Sequence, residues 1–154
     1  MNYYLTIDAG TSIVKVVIFN LKFKAVFIQT IKNNVITDSK GKSEINMDQF
    51  WQNTSNCIKE CIKKSNINPK SILGVGLTGN MVGAWPIDHT NKPFRNAILW
   101  NDTRSEKVFE LLKKNNSKIF EEIYKISGSI VQYGCTLPVL KWFDIFEKKT
   151  IIRT

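Results

Sequence analysis

Apolar and polar positions change their period along this chain, and the order of those changes sketches an architecture. Residues 3–7 and 14–19 are runs of β-branched and aromatic residues around a short turn that holds Gly10. Two such runs flanking a Gly-containing turn predict a β-hairpin. Residues 24–31 form a third β-prone run, with Ala25, Phe27 and Ile31 on one face and Asn20-Leu21-Lys22 as the connection. Three short strands in sequence predict a β-meander. Residues 32–45 are polar, with Asn33-Asn34 and Lys40-Gly41-Lys42, and read as loop. The period then becomes helical: Phe50, Trp51, Thr54, Cys57, Ile58, Cys61 and Ile62 recur at threes and fours. Asn46 stands at the N-cap position with Gln49 at capping-box spacing, and the helix should stop near Lys64, ahead of Asn66, Asn68 and Pro69. Residues 72–77 predict a strand that returns to the sheet. A second apolar element runs through 85–88, turns at Thr90-Asn91 and ends in 97–102. Helical patterns follow over 103–112, 117–126 and 137–146, the last with Pro138 in its first turn, where proline is tolerated. Sheet first and helices packed on it afterwards predict an α/β fold, a mixed sheet with an N-terminal meander flanked by helices.

Composition narrows the function classes. A chain of 154 residues fits one domain and buries roughly 68–70% of its unfolded surface. Its 43% apolar and 23% charged residues are ordinary for a globular protein. No stretch approaches the ~20 apolar residues of a membrane span, because Lys15, Lys22 and Lys24 interrupt the longest candidate. There is no basic n-region, and Asp8 lies within the first apolar segment, so no signal peptide is expected and the cytoplasm is the expected compartment. The formal charge of +9 raises nucleic-acid binding as a reading. Its distribution argues against it: the lysines are scattered, and arginine stands only at Arg95, Arg104 and Arg153. Three cysteines form no disulfide framework, and with His89 as the single histidine they complete no metal site. Cys57 and Cys61, four apart on one helix face, read as small buried apolar residues.

Three stretches carry candidate chemistry. In the first hairpin, Asp8, Gly10, Thr11, Ser12 and Lys15 gather a carboxylate, hydroxyls and a cation around a turn whose N–H groups suit a phosphate. Asp and Thr also serve turns purely structurally, and the stretch alone leaves both readings open. Residues 74–79 read G-x-G-x-x-G, but the dinucleotide fingerprint needs its glycines between a strand and a helix. Here they fall inside the strand, and Gly83 and Pro86 prevent a helix from following, so the match is rejected. The glycines instead predict close backbone approach in the sheet. Trp100, Asn101, Asp102 and Arg104 stand together at a strand-to-helix junction. A ring face, a carboxamide, a carboxylate and a guanidinium suit a polyhydroxylated ligand, which needs donors and acceptors together. Capping of the next helix by Asp102 or Thr103, with Trp100 in the core, is the structural alternative.

Taken together, these stretches resemble the N-terminal part of the FGGY family of carbohydrate kinases. Asp8-x-Gly10-Thr11-x-x-x-Lys15 resembles the family's opening phosphate hairpin. Gly79-Asn80-Met81-Val82-Gly83 resembles its sugar-binding loop, and Ala97-Ile98-Leu99-Trp100-Asn101-Asp102-x-Arg104 its second sugar-contacting segment. Gly134-Cys135-Thr136-Leu137-Pro138-Val139-Leu140-Lys141-Trp142 is similar to a later signature helix. The resemblance runs through nearly the whole chain and is best to xylulose kinases. It implies an RNase H-like fold of the actin and hexokinase type, with MgATP and a small sugar or polyol as ligands and neither nucleic acid nor membrane; a homodimer is an assembly it allows. Asp8 would sit near Mg²⁺ and the γ-phosphate, and Gly10, Thr11, Ser12 and Lys15 would lie on the phosphate side, where Lys15 could equally be structural. Asn80, Met81, Val82, Trp100, Asn101, Asp102 and Arg104 would face the sugar. One departure is that xylulose kinases usually carry Met-His-Gly where this chain has Met81-Val82-Gly83. Another is length: the family's general base, an aspartate, and most of its ATP site lie beyond position 154. The chain is thus expected to be a partial N-terminal sugar-binding domain without the C-terminal ATP-binding domain, and inactive alone. A non-catalytic polyol-binding or structural module of the same fold is the alternative.

Overall fold

The structure, a computed structural model, describes residues 1–153. Its elements are strands β1 (Tyr3–Ala9), β2 (Ile13–Asn20), β3 (Ala25–Lys32), β4 (Val35–Thr37) and β5 (Ser43–Ile45), helix α1 (Met47–Ser65), a 3₁₀ turn at Pro69–Ser71, strands β6 (Ile72–Gly79) and β7 (Ala97–Ile98), and helices α2 (Glu106–Asn115), α3 (Ile119–Ser127), α4 (Thr136–Phe146) and α5 (Lys148–Arg153). They fall into two compact units: Met1–Val35 with Asp48–Asn80, and Ile36–Met47 with Met81–Thr154.

The first unit is the predicted meander extended by one parallel strand, in the order β3-β2-β1-β6. β1 pairs antiparallel with β2 and parallel with β6, so the sheet is mixed. One face of β1 and β2 presents Leu5, Val14, Val16 and Ile18, all buried, and Cys57 and Cys61 of α1 complete that core. Phe50, Ile58 and Ile62 pack at its margin. Full burial of one such aliphatic side chain contributes about 1.5–3 kcal/mol, so this helix face fixes α1 on the sheet. Thr54, the polar member of the stripe, donates its hydroxyl to the Phe50 carbonyl at 2.9 Å and enters the interior without an orphaned group. Trp51 departs from expectation: it lies at the edge of the stripe and is exposed. The glycines of 74–79 do lie within β6, but close approach holds only at Gly79, where a Cβ would stand 3.0 Å from the Ala9 carbonyl oxygen. Gly74 and Gly76 leave ordinary room beside Tyr4 and Thr6.

In the second unit the polar stretch expected to be loop contains β4 and β5, and β5 is the middle strand of a small sheet ordered β4-β5-β7. All three residues of β5 are buried, Glu44 among them. The charge hid the strand from a polarity-based reading, because the groups that neutralise it lie 51 and 60 residues further on. Ala84, Ile98, Val139 and Phe143 form the core, with Trp142 against it. Helix α2 begins at Glu106 rather than 103, because the backbone N–H groups of Thr103 and Arg104 are drawn to the Gly41 carbonyl and the Asp102 carboxylate. α3 ends on Gly128 at φ 66, with the Gly128 N–H bonded to the Tyr124 carbonyl. Among the described residues, no helix is long and apolar enough to cross a membrane.

Candidate functional site

In the first unit, Asp8 stands near the end of β1 with Lys15 as its cross-strand partner on β2 and Thr78 as its partner on β6. The Asp8 carboxylate is exposed, borders a hollow of ≈ 290 Å³ shared with Thr6, Gly76 and Thr78, and accepts no hydrogen bond from the described residues. The turn after it is held at several points. Gly10 admits no side chain, since a Cβ would lie 2.8 Å from the Ile13 carbonyl oxygen. Asn33 donates its side-chain amide to the Gly10 carbonyl at 2.9 Å and its backbone N–H to the Ser12 carbonyl at 2.9 Å. Asn53 on α1 donates to the Asn33 side-chain oxygen at 2.9 Å and accepts from Gln49 at 3.0 Å. A line of side-chain amides thus runs from the first turns of α1 to the backbone of the hairpin turn. These residues carry no motif; only their capacity to donate and accept at once could have flagged them.

Asn80 closes the turn from the other side. Its backbone N–H donates to the Ala9 carbonyl at 2.9 Å, and its side chain donates to the Thr11 hydroxyl at 2.9 Å. Residues assigned to opposite ligands by resemblance, phosphate for Thr11 and sugar for Asn80, are therefore in direct contact. Oδ1 of Asn80 is buried without a hydrogen-bond partner among the described residues, one acceptor lying beside the turn.

In the second unit the three remaining stretches interlock. Ala84 and Ile98 exchange backbone hydrogen bonds at 2.9 and 2.8 Å, which ties the 81–83 loop to β7. Gly83 sits at φ 77 with no room for a side chain, as a Cβ would fall 2.3 Å from the Ile98 carbonyl oxygen. Thr136, in the first turn of α4, donates its hydroxyl to the Gly83 carbonyl at 2.7 Å. Gly134 is pressed onto the backbone of Trp100, where a Cβ would overlap the Trp100 carbonyl oxygen at 1.8 Å. The signature glycine before α4 is thus a spacer that lets α4 seat Trp100. Met81, Val82 and the Trp100 side chain all remain exposed, three apolar surfaces from two adjoining segments. Val82 is held at φ 56, a left-handed conformation costly for a β-branched residue and one that local strain at binding loops often explains.

Asp102, Arg104 and Asn101 are engaged differently. The Asp102 carboxylate is buried, accepts the Ser43 N–H at 2.7 Å and the Arg104 N–H at 2.9 Å, and pairs with the Arg104 guanidinium at 2.8 Å. Asn101 accepts the Ser43 hydroxyl at 2.8 Å. Arg104 continues to Glu44 at 2.7 Å and lies over the Trp142 ring at 4.9 Å. Arg95 meets Glu44 at 2.9 Å, is also paired with Glu147, and lies over Phe143 at 4.7 Å. Burial pushes the Glu44 carboxyl upward, but the Arg104 hydrogen bond and the Arg104 and Arg95 charges outweigh it and hold Glu44 below its ordinary range. Burial likewise opposes the Arg104 charge, and the bonds to Asp102 and Glu44 overcome it, raising Arg104. These ties join β5 and α4 to the 101–104 segment. A cleft of ≈ 740 Å³ elsewhere in this unit, lined by Phe109, Phe120, Tyr124 and Tyr133, includes none of the predicted site residues.

Residues 3–152 match the FGGY family of carbohydrate kinases, N-terminal domain. The chain is 31% identical over 154 residues to the xylulose kinase of Bacillus subtilis, covering 100% of this chain and 30% of that protein. It is 30% identical over 142 residues to a probable L-xylulose kinase of Haemophilus influenzae, covering 92% of this chain and 29% of the relative. Among solved structures, a xylulose kinase from Brucella ovis matches with a TM-score of 0.83 at 30% identity, over 99% of this chain and 30% of that one. A gluconate kinase from Lactobacillus acidophilus matches with a TM-score of 0.84 at 18% identity, over 99% of this chain and 30% of that one, a likeness of fold. The chain spans about 30% of the length of these relatives. Its mixed sheet with flanking helices is of the actin and hexokinase type that these sugar kinases share. The chain belongs to the FGGY family of carbohydrate kinases, through that family's N-terminal domain.

Proposed function

We propose that this chain is the sugar-binding N-terminal part of a kinase that transfers the γ-phosphate of ATP to a hydroxyl of a small sugar such as xylulose. The observation that carries this reading is Asp8: an exposed carboxylate that accepts no hydrogen bond among the described residues, beside a hollow, next to a turn anchored by Asn33 and Asn80. Such a carboxylate fits Mg²⁺, which binds through one or two carboxylates and keeps much of its water. With MgATP bound, the metal supplies charge neutralisation on the transferring group. Asp8 would hold it, and Gly10, Thr11 and Ser12 would orient the phosphates, with Lys15 adding positive charge across the strand pair. Met81, Val82 and Trp100 would wall the sugar, Asn101 would offer it a carboxamide, and Asp102 and Arg104 would fix the wall from beneath. The name shared by several relatives supports xylulose, and Val82 marks where this chain departs from the loop usual in that group. Alone, the chain is expected to turn over no ATP.

The test is a chimera in which this chain replaces the aligned segment of the Bacillus subtilis xylulose kinase. ATP consumption that depends on xylulose, or on another pentulose, polyol or aldonate in a panel, is the expected result. Asp8→Asn should lower kcat about 100-fold or more while sugar affinity stays unchanged, because the carboxylate acts on developing charge rather than on the sugar. A chimera that binds sugar but keeps its rate with Asn at position 8 rejects the assignment. Sugar binding without turnover favours the non-catalytic module.

A further inference from the structure

The side chain of Asn80 has a partner that its place in the sugar loop did not foretell. Ala9 and Gly79 are register partners at the ends of β1 and β6. The two strands close tightly there, since a Cβ on Gly79 would stand 3.0 Å from the Ala9 carbonyl oxygen. The next N–H, that of Asn80, falls on the same carbonyl at 2.9 Å. Pinned at residue 9 by its backbone, Asn80 reaches past Gly10 and donates its side-chain amide to the Thr11 hydroxyl at 2.9 Å. Among the described residues this is the bond its side chain makes, and Oδ1, its acceptor, is buried without a partner. A sugar hydroxyl must reach an acceptor to bond it, and this one is shut off from solvent. Turning the amide to present Oδ1 would break the bond to Thr11. The chain divides at this point: Asn80 closes the first compact unit, and Met81 opens the second with a side chain 75% exposed. A hydroxyl that accepts a hydrogen bond is fixed in place and still has a proton to give, which is what a phosphate oxygen takes.

We infer that Asn80 is a positioning residue for the phosphate side of the site and not a contact to the sugar: its amide holds the Thr11 hydroxyl where a phosphate oxygen of MgATP takes a hydrogen bond from it. The inference rests on the kinase reading above. It moves Asn80 from the ligand that the resemblance assigned to it to the other one.

The chimera described above tests it, titrated with a non-hydrolysable MgATP analogue and with the panel sugar that binds it best, and assayed for KM of both substrates. Asn80→Ala should weaken the analogue, and raise KM for ATP, by about 10-fold, because a hydrogen bond to a charged acceptor is lost. Sugar affinity and sugar KM should stay at the parent value. Thr11→Val should do the same, and the double variant should be no weaker than Thr11→Val alone, since the amide acts only through that hydroxyl. Asn80→Asp keeps the side chain's shape, donates nothing to Thr11 and adds negative charge beside the turn. It should weaken the analogue at least as far, and it decides the matter if the alanine variant does not fold. A residue that merely braced the turn would lower the melting temperature and leave the ratio of the two affinities alone. An unchanged ratio, a loss confined to the sugar, or additive losses in the double variant overturns the inference. A parent chimera that binds sugar but no analogue overturns it together with the kinase reading. A parent that binds both without turnover, and loses the analogue on Asn80→Ala, counts against the kinase reading alone; an active chimera in which Asn80→Ala moves only the sugar counts against the positioning role alone.

Discussion

Glu44 is where most of the polar chemistry of the second unit converges. Its carboxylate, 4% exposed as a residue, meets Arg104, Arg95 and Lys42 at 2.7, 2.9 and 3.3 Å. Removing one partner of a buried charge set leaves the others desolvated and uncompensated, which costs more than the pair contributes. Glu44→Gln is expected to lower stability by about 2–4 kcal/mol, toward the low side because both guanidinium groups keep some water contact. Denaturant unfolding of the variant against the parent measures it. The pH dependence follows from the direction of the shift. A carboxyl held below its ordinary value of 4.5 contributes stability that is present above that value and lost as pH falls through the lower, folded value. The parent should therefore lose stability relative to Glu44→Gln as the solution is acidified below about 4.5, and the gap between the two unfolding curves should narrow. Asp38, Asp88 and Asp144 are also held low, but they are common to both proteins and cancel in the difference.

At the scale of elements, the hairpin turn is held in shape from α1, through Asn53 and Asn33. Asn33 stands between the Asn53 amide and the Gly10 carbonyl, so truncating it breaks both links at once. Asn33→Ala is expected to cost about 1–3 kcal/mol and to speed amide exchange at Thr11 and Ser12, with little change in the β1–β2 ladder. Uniform exchange across the whole hairpin would instead show that Asn33 supports the sheet and not the turn. The same elements show what a sequence discloses. The hairpin, β3, α1 and β6 follow from period, because each has one face that must be buried and another that must not. β5 does not follow, since Glu44 looks like a solvent residue until Arg95 and Arg104 are folded against it. The late start of α2 was hidden for a similar reason: Asp102 caps its own turn by bonding Arg104, not the helix that follows.

For the whole molecule, the motifs pointed to candidate residues, and the packing shows which of them are tied to other parts of the chain. Spacing alone could bring Asp8, Thr11 and Trp100 forward as chemistry. It could not tell that Asn80 clasps Thr11, that Gly134 makes room for the Trp100 backbone, or that Asp102 is spent on Arg104 and Ser43. Apart from the Asp102–Arg104 pair, those are contacts between residues 34 to 69 positions apart with no shared period, so no window along the chain contains them.

The two thiols that help seal the core of the first unit also make it a clock. Cys57 and Cys61 are fully buried, with their S–H groups toward the Val14, Gln29 and Val16 carbonyls, and burial raises both thiols, leaving them slow nucleophiles. Cys135, in the second unit, is partly accessible. An aromatic disulfide reagent should therefore colour in two separated steps: one equivalent promptly from Cys135, then two that appear together at the rate at which α1 lifts from the sheet. Prompt reaction of all three would show that α1 does not stay seated. The delay of the second step, read with a spectrophotometer and no added label, times the opening of the unit that carries Asp8.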